Sequence, residues 1–325
     1  MESDIKVTVW CTTYNHENYI KTALDSFINQ VTTFKFEVIV HDDASTDNTP
    51  NIIREYELKY PEIIKPIYQI ENQYQKGVWI TNTFLPNVMK GKYVAFCEGD
   101  DYWTDPYKLQ KQYDIMEKDD SLAMCCHKVR VLFEKGDDNS FIPSKPLSRG
   151  RYSLQDYLDY KGYPFQTSSY FVRAYAILDY CQKDLDFRRV AKIGDRPICL
   201  YMLTIGDIYY LEDTMSCYRR FLPESWSSRT HKQNNAHIEF NRRLADMMEY
   251  FDNYTGHCYD CHLGFYRGRF YYLTCQFKRL AKPECKEFMD SLTSVKRVYV
   301  RLCARFPFIV KLIKPKSSVI GSNNV

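Results

Sequence analysis

Five runs of β-branched and aromatic residues alternate with helical patterns over the first 133 residues, and two of them end directly on clusters of acids. Lys6 to Thr12 (KVTVWCT), Phe36 to His41 (FEVIVH), Ile64 to Tyr68, Tyr93 to Cys97 (YVAFC) and Leu122 to Phe133 read as strands. Between them, Glu17 to Gln30 reads as a helix. Thr49-Pro50 reads as an N-cap followed by proline at the first helical position, opening a helix to about Tyr60, and Asp105-Pro106 opens another. Strands alternating with helices require right-handed crossovers, which predicts an α/β architecture, Rossmann-like, with a mostly parallel central sheet flanked by helices. In such a sheet, ligands bind in the crevice beyond the carboxyl ends of the strands.

Asp42-Asp43-Ala44-Ser45-Thr46-Asp47 follows the second strand and Glu98-Gly99-Asp100-Asp101 the fourth, so both clusters are expected to face that crevice. Adjacent carboxylates raise one another's pKa unless a cation relieves them. Carboxylate oxygens together with substrate phosphates and waters suit Mg²⁺ or Mn²⁺. Either cluster alone could merely cap the helix that follows it, and Asp47 or Thr49 fits that role. Two clusters at equivalent strand ends, with Asp195 downstream, favour a shared site. Neither GxGxxG nor GxxxxGK[ST] occurs, which argues against dinucleotide oxidoreductases and P-loop enzymes.

Charge narrows the classes further. The 44 Lys and Arg against 41 Asp and Glu leave +3, too near neutral for a general nucleic-acid binder. The acidic start Met1 to Asp4 leads straight into a strand-like segment, so no signal peptide is expected. No apolar run is long enough for a spanning helix, and the 12 Cys read as reduced thiols. The expected location is the cytoplasm.

These residues resemble the family 2 glycosyltransferases, inverting enzymes with the GT-A fold. Thr12-Thr13-Tyr14-Asn15, the Asp42 to Asp47 block, Glu98-Gly99-Asp100-Asp101-Tyr102-Trp103 and Ile193-Gly194-Asp195 stand in that family's order over about residues 5 to 227. The resemblance implies that Thr12, Tyr14 and Asn15 hold the nucleotide, that Asp43 bonds base or ribose, and that Asp100 and Asp101 hold ribose and metal-bound diphosphate. It implies Asp195 as general base, although Gly-Asp-x-Pro also reads as a helix start. Glu98, Trp103, Arg219 and Trp226 are implied as donor or acceptor contacts. Glu98 stands where many relatives have Asp, and Phe221 stands where many have a diphosphate-binding His. The QxxRW signature of processive synthases is absent, which implies transfer of one sugar at a time. The implied donor is a UDP-sugar, and the implied acceptor a hydroxyl in surface polysaccharide or a lipid-linked glycan. A nucleotidyltransferase and a non-catalytic sugar-binding module are the alternatives. The first lacks its Gly-rich basic loop here, and the second has no need of Asp101 and Asp195 together.

Beyond Trp226 the pattern turns helical: His237 to Tyr250, Cys261 to Leu280 and Glu284 to Phe306. This predicts a catalytic domain over 1–227 and a helical region over 228–325. Residues after Asp290 carry seven Lys and Arg and no carboxylate, and Val295, Val298, Tyr299, Leu302, Phe306, Ile309, Val310 and Ile313 recur among them at helical spacing, with Pro307 expected to break or kink the run. A basic amphipathic segment of this kind fits an anionic membrane surface or the protein's own core. His257-Cys258-Tyr259-Asp260-Cys261-His262 leaves zinc binding by Cys258 and Cys261 open.

Overall fold

The computed structural model describes residues 4–133, 136–220 and 234–307. The chain divides into two compact units. The first comprises 1–154, 163–184 and 198–222, and the second 155–162, 185–197 and the chain from 223 onward. The division is therefore not a single cut after 227, because two short segments of the first 200 residues group with the C-terminal helices.

The first unit opens with β1 (Ile5–Thr13), α1 (Ile20–Ile28), β2 (Lys35–Asp42), α2 (Thr49–Lys59), β3 (Ile64–Tyr68), α3 (Ile80–Val88) and β4 (Tyr93–Phe96). It continues with β5 (Tyr102–Trp103), α4 (Lys108–Lys118), β6 (Leu122–Phe133), β7 (Gly136–Ile142) and β8 (Gly150–Tyr152). The chain then runs through α5 (Leu154–Tyr160), β9 (Phe171–Arg173), α6 (Ala174–Gln182), α7 (Asp186–Ala191), α8 (Asp195–Ile205) and β10 (Asp207–Arg220), of which α7, the first turn of α8 and all of α5 but Leu154 group with the second unit. All five expected strands form. Among the described residues the sheet runs β3-β2-β1-β4-β9-β6-β10-β5, with β7 on β6 and β8 on β10.

The half β3-β2-β1-β4 is parallel, as the alternation predicts. Beyond it the sheet is mixed: β9 runs antiparallel between β4 and β6, whereas β6 and β10 are parallel. An antiparallel neighbour needs no crossover helix, so the alternation rule does not govern β9. The polar, Gly-, Pro- and Ser-containing sequence from 136 to 152 carries β7 and β8. Both are edge strands, and polar sequence is how edge strands resist pairing with other chains. Val7, Thr8, Val9, Trp10 and Cys11 of β1, Val38, Ile39 and Val40 of β2, and Tyr93, Val94, Ala95 and Phe96 of β4 are buried without alternation, the mark of strands covered on both faces.

In the second unit, α9 (Asn234–Tyr254) is followed by α10 (Leu263–Leu273), α11 (Phe277–Leu280), α12 (Lys286–Ser291) and α13 (Ser294–Arg305). The two long helices expected after Cys261 are each broken. Cys275 takes φ 55 between α10 and α11, and the Thr293 hydroxyl caps α13 by accepting from Lys296 N. Phe187 of α7 packs edge-on against Phe251 of α9 at 5.2 Å. On α10, a Cβ at Gly264 would lie 1.8 Å from Glu284 O and one at Gly268 would lie 2.6 Å from Phe288 Cβ. Only glycine permits that approach.

Among the buried charged residues of the first unit, Lys108 has a consequence for stability. Lys108 is fully buried, donates from Nζ to Gln112 Oε1 at 2.7 Å and stands 4.2 Å above the Trp103 ring. Burial pushes its ammonium pKa down to about 7. Between that value and roughly 10.4, the unfolded chain holds a proton that the folded chain lacks, so stability rises with pH. Urea titrations at about pH 7 and 8.5 should show an increment of up to about 1 kcal/mol per pH unit that Lys108→Met abolishes. An unchanged pH dependence in Lys108→Met would mean that the lysine stays charged in the folded protein.

Candidate functional site

Parallel register brings the ends of β1, β2 and β4 to one edge: Thr13 pairs with Asp42, and Trp10 with Phe96. The loops beyond these ends are fastened to one another. Asn15, at φ 54, donates from its backbone to Ser45 Oγ (2.8 Å) and accepts from Thr46 N (2.8 Å) through Oδ1. His16 N donates to Thr49 Oγ1, Glu17 N to Asp47 Oδ2, and Asn48 N to Glu17 Oε2. Asp47 also accepts from Thr49 N at 3.0 Å, which is the helix-start role expected for it; α2 begins at Thr49 itself, with Asn48 as N-cap. Gly99 N donates to Thr12 O (2.9 Å) and Asp43 N to Thr13 O (3.0 Å), joining both acidic loops to the end of β1. Thr12 is half-buried there and Tyr14 is 37% exposed, so its ring is available at the edge.

The acids divide by burial. Asp42 is buried and bonded by Ser45 Oγ at 2.5 Å, with its pKa raised chiefly by desolvation. Asp43, expected to bond base or ribose, accepts Gln73 N at 2.8 Å on one oxygen and Tyr74 N at 3.0 Å on the other, which fixes the turn after β3. Asp101 is fully buried, its oxygens taken by Arg219 N (2.9 Å) and Gln166 Nε2 (3.1 Å). Burial, reinforced by the Asp100 and Glu98 charges, pushes its carboxyl well above the usual range against those two donors. Asp101 was expected to touch a metal, but it is turned inward. Glu98 is exposed, and the Asp100 side chain is partly exposed, 3.9 Å from His16 Nε2.

Arg219 completes this corner from β10. Its Nη1 donates to Asp100 O at 2.6 Å, and its guanidinium covers Tyr102 at 4.6 Å and Tyr19 at 5.2 Å. Trp103 differs from expectation: it is 4% exposed, packs edge-on against Phe27 at 4.7 Å and donates to Ser168 O at 3.2 Å, so it is a core residue and presents no ring for stacking. Asp195 belongs to the second unit, opens α8 and accepts from Arg196 N at 2.8 Å. Trp226 and Phe221 lie outside the described residues. In the CxxC segment, Cys258 is exposed and Cys261 buried, while His257 is held by Asp252 and His262 by Asp159, each at 2.7 Å.

Gln166 carried no signal in the sequence. Its carbonyl accepts from Ser168 N and Ser168 Oγ, which locks the amide so that its NH₂ faces Asp101 across 65 residues of chain. The Ser45 and Asn15 pairing was legible only as turn-forming residues following strands.

Among the described residues, no three His, Cys, Asp or Glu form a ready-made metal cage. Hard oxygen donors at an exposed Glu98 and a partly exposed Asp100 nonetheless fit Mg²⁺ or Mn²⁺, ions that characteristically take the rest of their shell from phosphates and water. The burial-raised pKa of the Cys97 thiol is lifted further by Asp101 and Glu98, and that of Cys11 by Asp100, Glu98 and Asp101, so the negative potential of this loop reaches into the core.

The model for glycosyl transferase family 2 matches residues 8–180, just over half of the chain. An uncharacterised protein of Mycobacterium tuberculosis is 38% identical over 219 residues, covering 66% of this chain; the chain spans 59% of that relative's length. The minor teichoic acid biosynthesis protein GgaA of Bacillus subtilis is 29% identical over 50% of this chain and 36% of its own. The Escherichia coli UDP-Glc:alpha-D-GlcNAc-diphosphoundecaprenol beta-1,3-glucosyltransferase WfaP is 35% identical over 34% of this chain and 41% of its own. Among solved structures, S. aureus TarS with UDP-GlcNAc aligns with TM-score 0.56 and 19% identity over 89% of this chain and 80% of TarS. The Pyrobaculum calidifontis mannosyltransferase PcManGT, with GDP-Man and Mn²⁺, aligns with TM-score 0.54 and 14% identity over 97% of this chain and 89% of its own. Both structures share the GT-A fold seen here.

Gly99 tests how tightly the acidic loop is held. A Cβ there would lie 2.6 Å from Thr13 Oγ1 and 2.8 Å from Thr13 Cβ, on a side chain fixed at the end of β1. Gly99→Ala is expected to lower unfolding free energy by about 1–3 kcal/mol, read from the urea midpoint. A midpoint equal to wild type would show that the loop gives way freely.

Proposed function

Because the chain belongs to glycosyl transferase family 2, we propose that it moves a single sugar from a nucleotide-diphosphate donor to a hydroxyl acceptor with inversion at the anomeric carbon. The observation that carries this reading is the corner at β4 and β10, where Glu98 and Asp100 stand at the open edge of a loop whose Asp101 is held inward. On this reading Thr12, Tyr14 and Asn15 border the nucleotide. Asp43 acts by holding the turn at Gln73 and Tyr74 rather than by offering a free carboxylate. Asp100 and Glu98, rather than Asp101, would hold Mn²⁺ or Mg²⁺, which when bound neutralises charge on the departing diphosphate. Arg219 steadies Asp100 through its carbonyl.

Asp195 is the proposed general base, taking the proton of the acceptor hydroxyl as the oxygen attacks the anomeric carbon. One displacement is complete in itself: the C–O bond to acceptor forms as the C–O bond to diphosphate breaks, and no enzyme nucleophile intervenes. The names of GgaA and WfaP support an acceptor in cell-surface polysaccharide or a lipid-linked glycan, and WfaP and TarS support a UDP-sugar. A lipid-linked acceptor would be met at a membrane surface. Among the described residues no helix is long and apolar enough to cross one.

Thermal-shift titrations with UDP, GDP, CDP and dTDP, each with Mn²⁺ or EDTA, address the donor site. One nucleotide, expected to be UDP, should stabilise the protein in a metal-dependent way, and Asp100→Asn should lose the metal-dependent part. Stabilisation by none of the four would remove the donor-site reading. Asp195→Asn is expected to keep nucleotide binding and lose transfer by about a hundredfold or more. Full turnover in that variant would leave Asp195 as a helix-start residue alone, a role asparagine also fills.

A further inference from the structure

Helix α13 has two apolar faces. Val300 and Cys303 are buried in the second unit's own core with Phe277, Leu280 and Phe288, and Tyr299 and Ala304 pack against the same cluster. Those contacts satisfy one face. Val295, Val298, Leu302 and Phe306 stand 80%, 55%, 46% and 41% exposed, at intervals of three and four residues that place them along one stripe. Single exposed apolar residues are ordinary, but four in line on one helix are not.

Charge beside the stripe indicates what meets it. Arg301 and Arg305, both exposed, follow Val298 and Leu302 by three residues each and so flank the stripe along one side. Arg297 is turned back to the carbonyls of Asp290 and Leu292. From Ser291 onward the sequence has no carboxylate, and its cations number seven. A surface that is apolar in the middle and basic at the flank, with the neighbouring Asp290 carboxylate already paired to Lys286 and Arg297, complements a bilayer interface carrying anionic headgroups.

We propose that the exposed stripe of α13 seats the protein on an anionic lipid surface, with Val295, Val298, Leu302 and Phe306 entering the headgroup boundary and Arg301 and Arg305 meeting lipid phosphates. The proposal rests on the reading of a lipid-linked acceptor, which such a surface would present. It differs from a spanning anchor in being reversible and sensitive to salt.

Flotation of the full chain with phosphatidylglycerol-containing vesicles and with pure phosphatidylcholine vesicles tests it. Wild type should float with the anionic vesicles alone, and less at high salt. Arg301→Gln with Arg305→Gln should lower the partition about thirtyfold, as expected for two cations removed from the surface. Val298→Ser with Leu302→Ser should also lower it, while UDP stabilisation stays at the wild-type level, showing that both variants are folded. Failure of wild type to bind anionic vesicles, or equal binding to neutral ones, overturns the proposal. A concentration-dependent dimer that Val298→Ser with Leu302→Ser dissolves, without vesicle binding, would assign the stripe to a second copy and overturn it equally. Absence of nucleotide binding in wild type would instead defeat the donor-site reading and leave the vesicle result to stand on its own.

Discussion

The first unit depends on side-chain oxygens accepting backbone N–H groups between two neighbouring loops. Asn15 and Glu17 reach from the loop after β1 to Thr46 and Asn48, and Ser45, Asp47 and Thr49 reach back from the loop after β2 to Asn15, Glu17 and His16. Each contact satisfies a donor that a loop leaves without a ladder partner. Because the contacts are reciprocal, neither loop can shift alone. The ends of β1 and β2 become one rigid rim, and Gly99 and Asp43 attach the remaining acidic segments to it through the carbonyls of Thr12 and Thr13.

Rigidity matters because the rim concentrates like charge. Glu98, Asp100 and Asp101 repel, and left to relax they would move apart. The fold prevents this by burying Asp101 between Arg219 and Gln166 while the two carboxylates beside it remain near water. The cost of burying an acid is thereby converted into a fixed position for its neighbour. The field that results is felt by thiols in the core, and a divalent ion would relieve it.

The strands, their order over the first hundred residues, and the convergence of both acidic clusters were legible because a parallel sheet exposes its ends on one edge and its hydrophobic runs are continuous. Division of labour within the clusters was not. Asp100 and Asp101 are adjacent and chemically identical in sequence; which one turns inward depends on Gln166 and Arg219, which arrive from 65 and 118 residues away. Trp103 is implied as a donor or acceptor contact by its place after the acids, yet strand alternation turns it to the opposite side from Tyr102 and into the core. Edge strands β7 and β8 escaped notice for a related reason: the polar composition that protects an edge is also that of a loop.

Gln166 and Arg219 also set when the corner can exist during folding. The parallel half of the sheet is built from contacts within the first hundred residues and can assemble early, whereas the inward pull on Asp101 needs the segment before β9 and the end of β10 to have been made and docked. A nascent chain that has emerged only as far as Asp101 therefore carries both acidic clusters and none of the clamp, so Asp101 lacks its two donors until more than a hundred further residues have followed. Completion of the corner thus reports that the whole first unit has closed, which ties competence to integrity of the fold without any separate control.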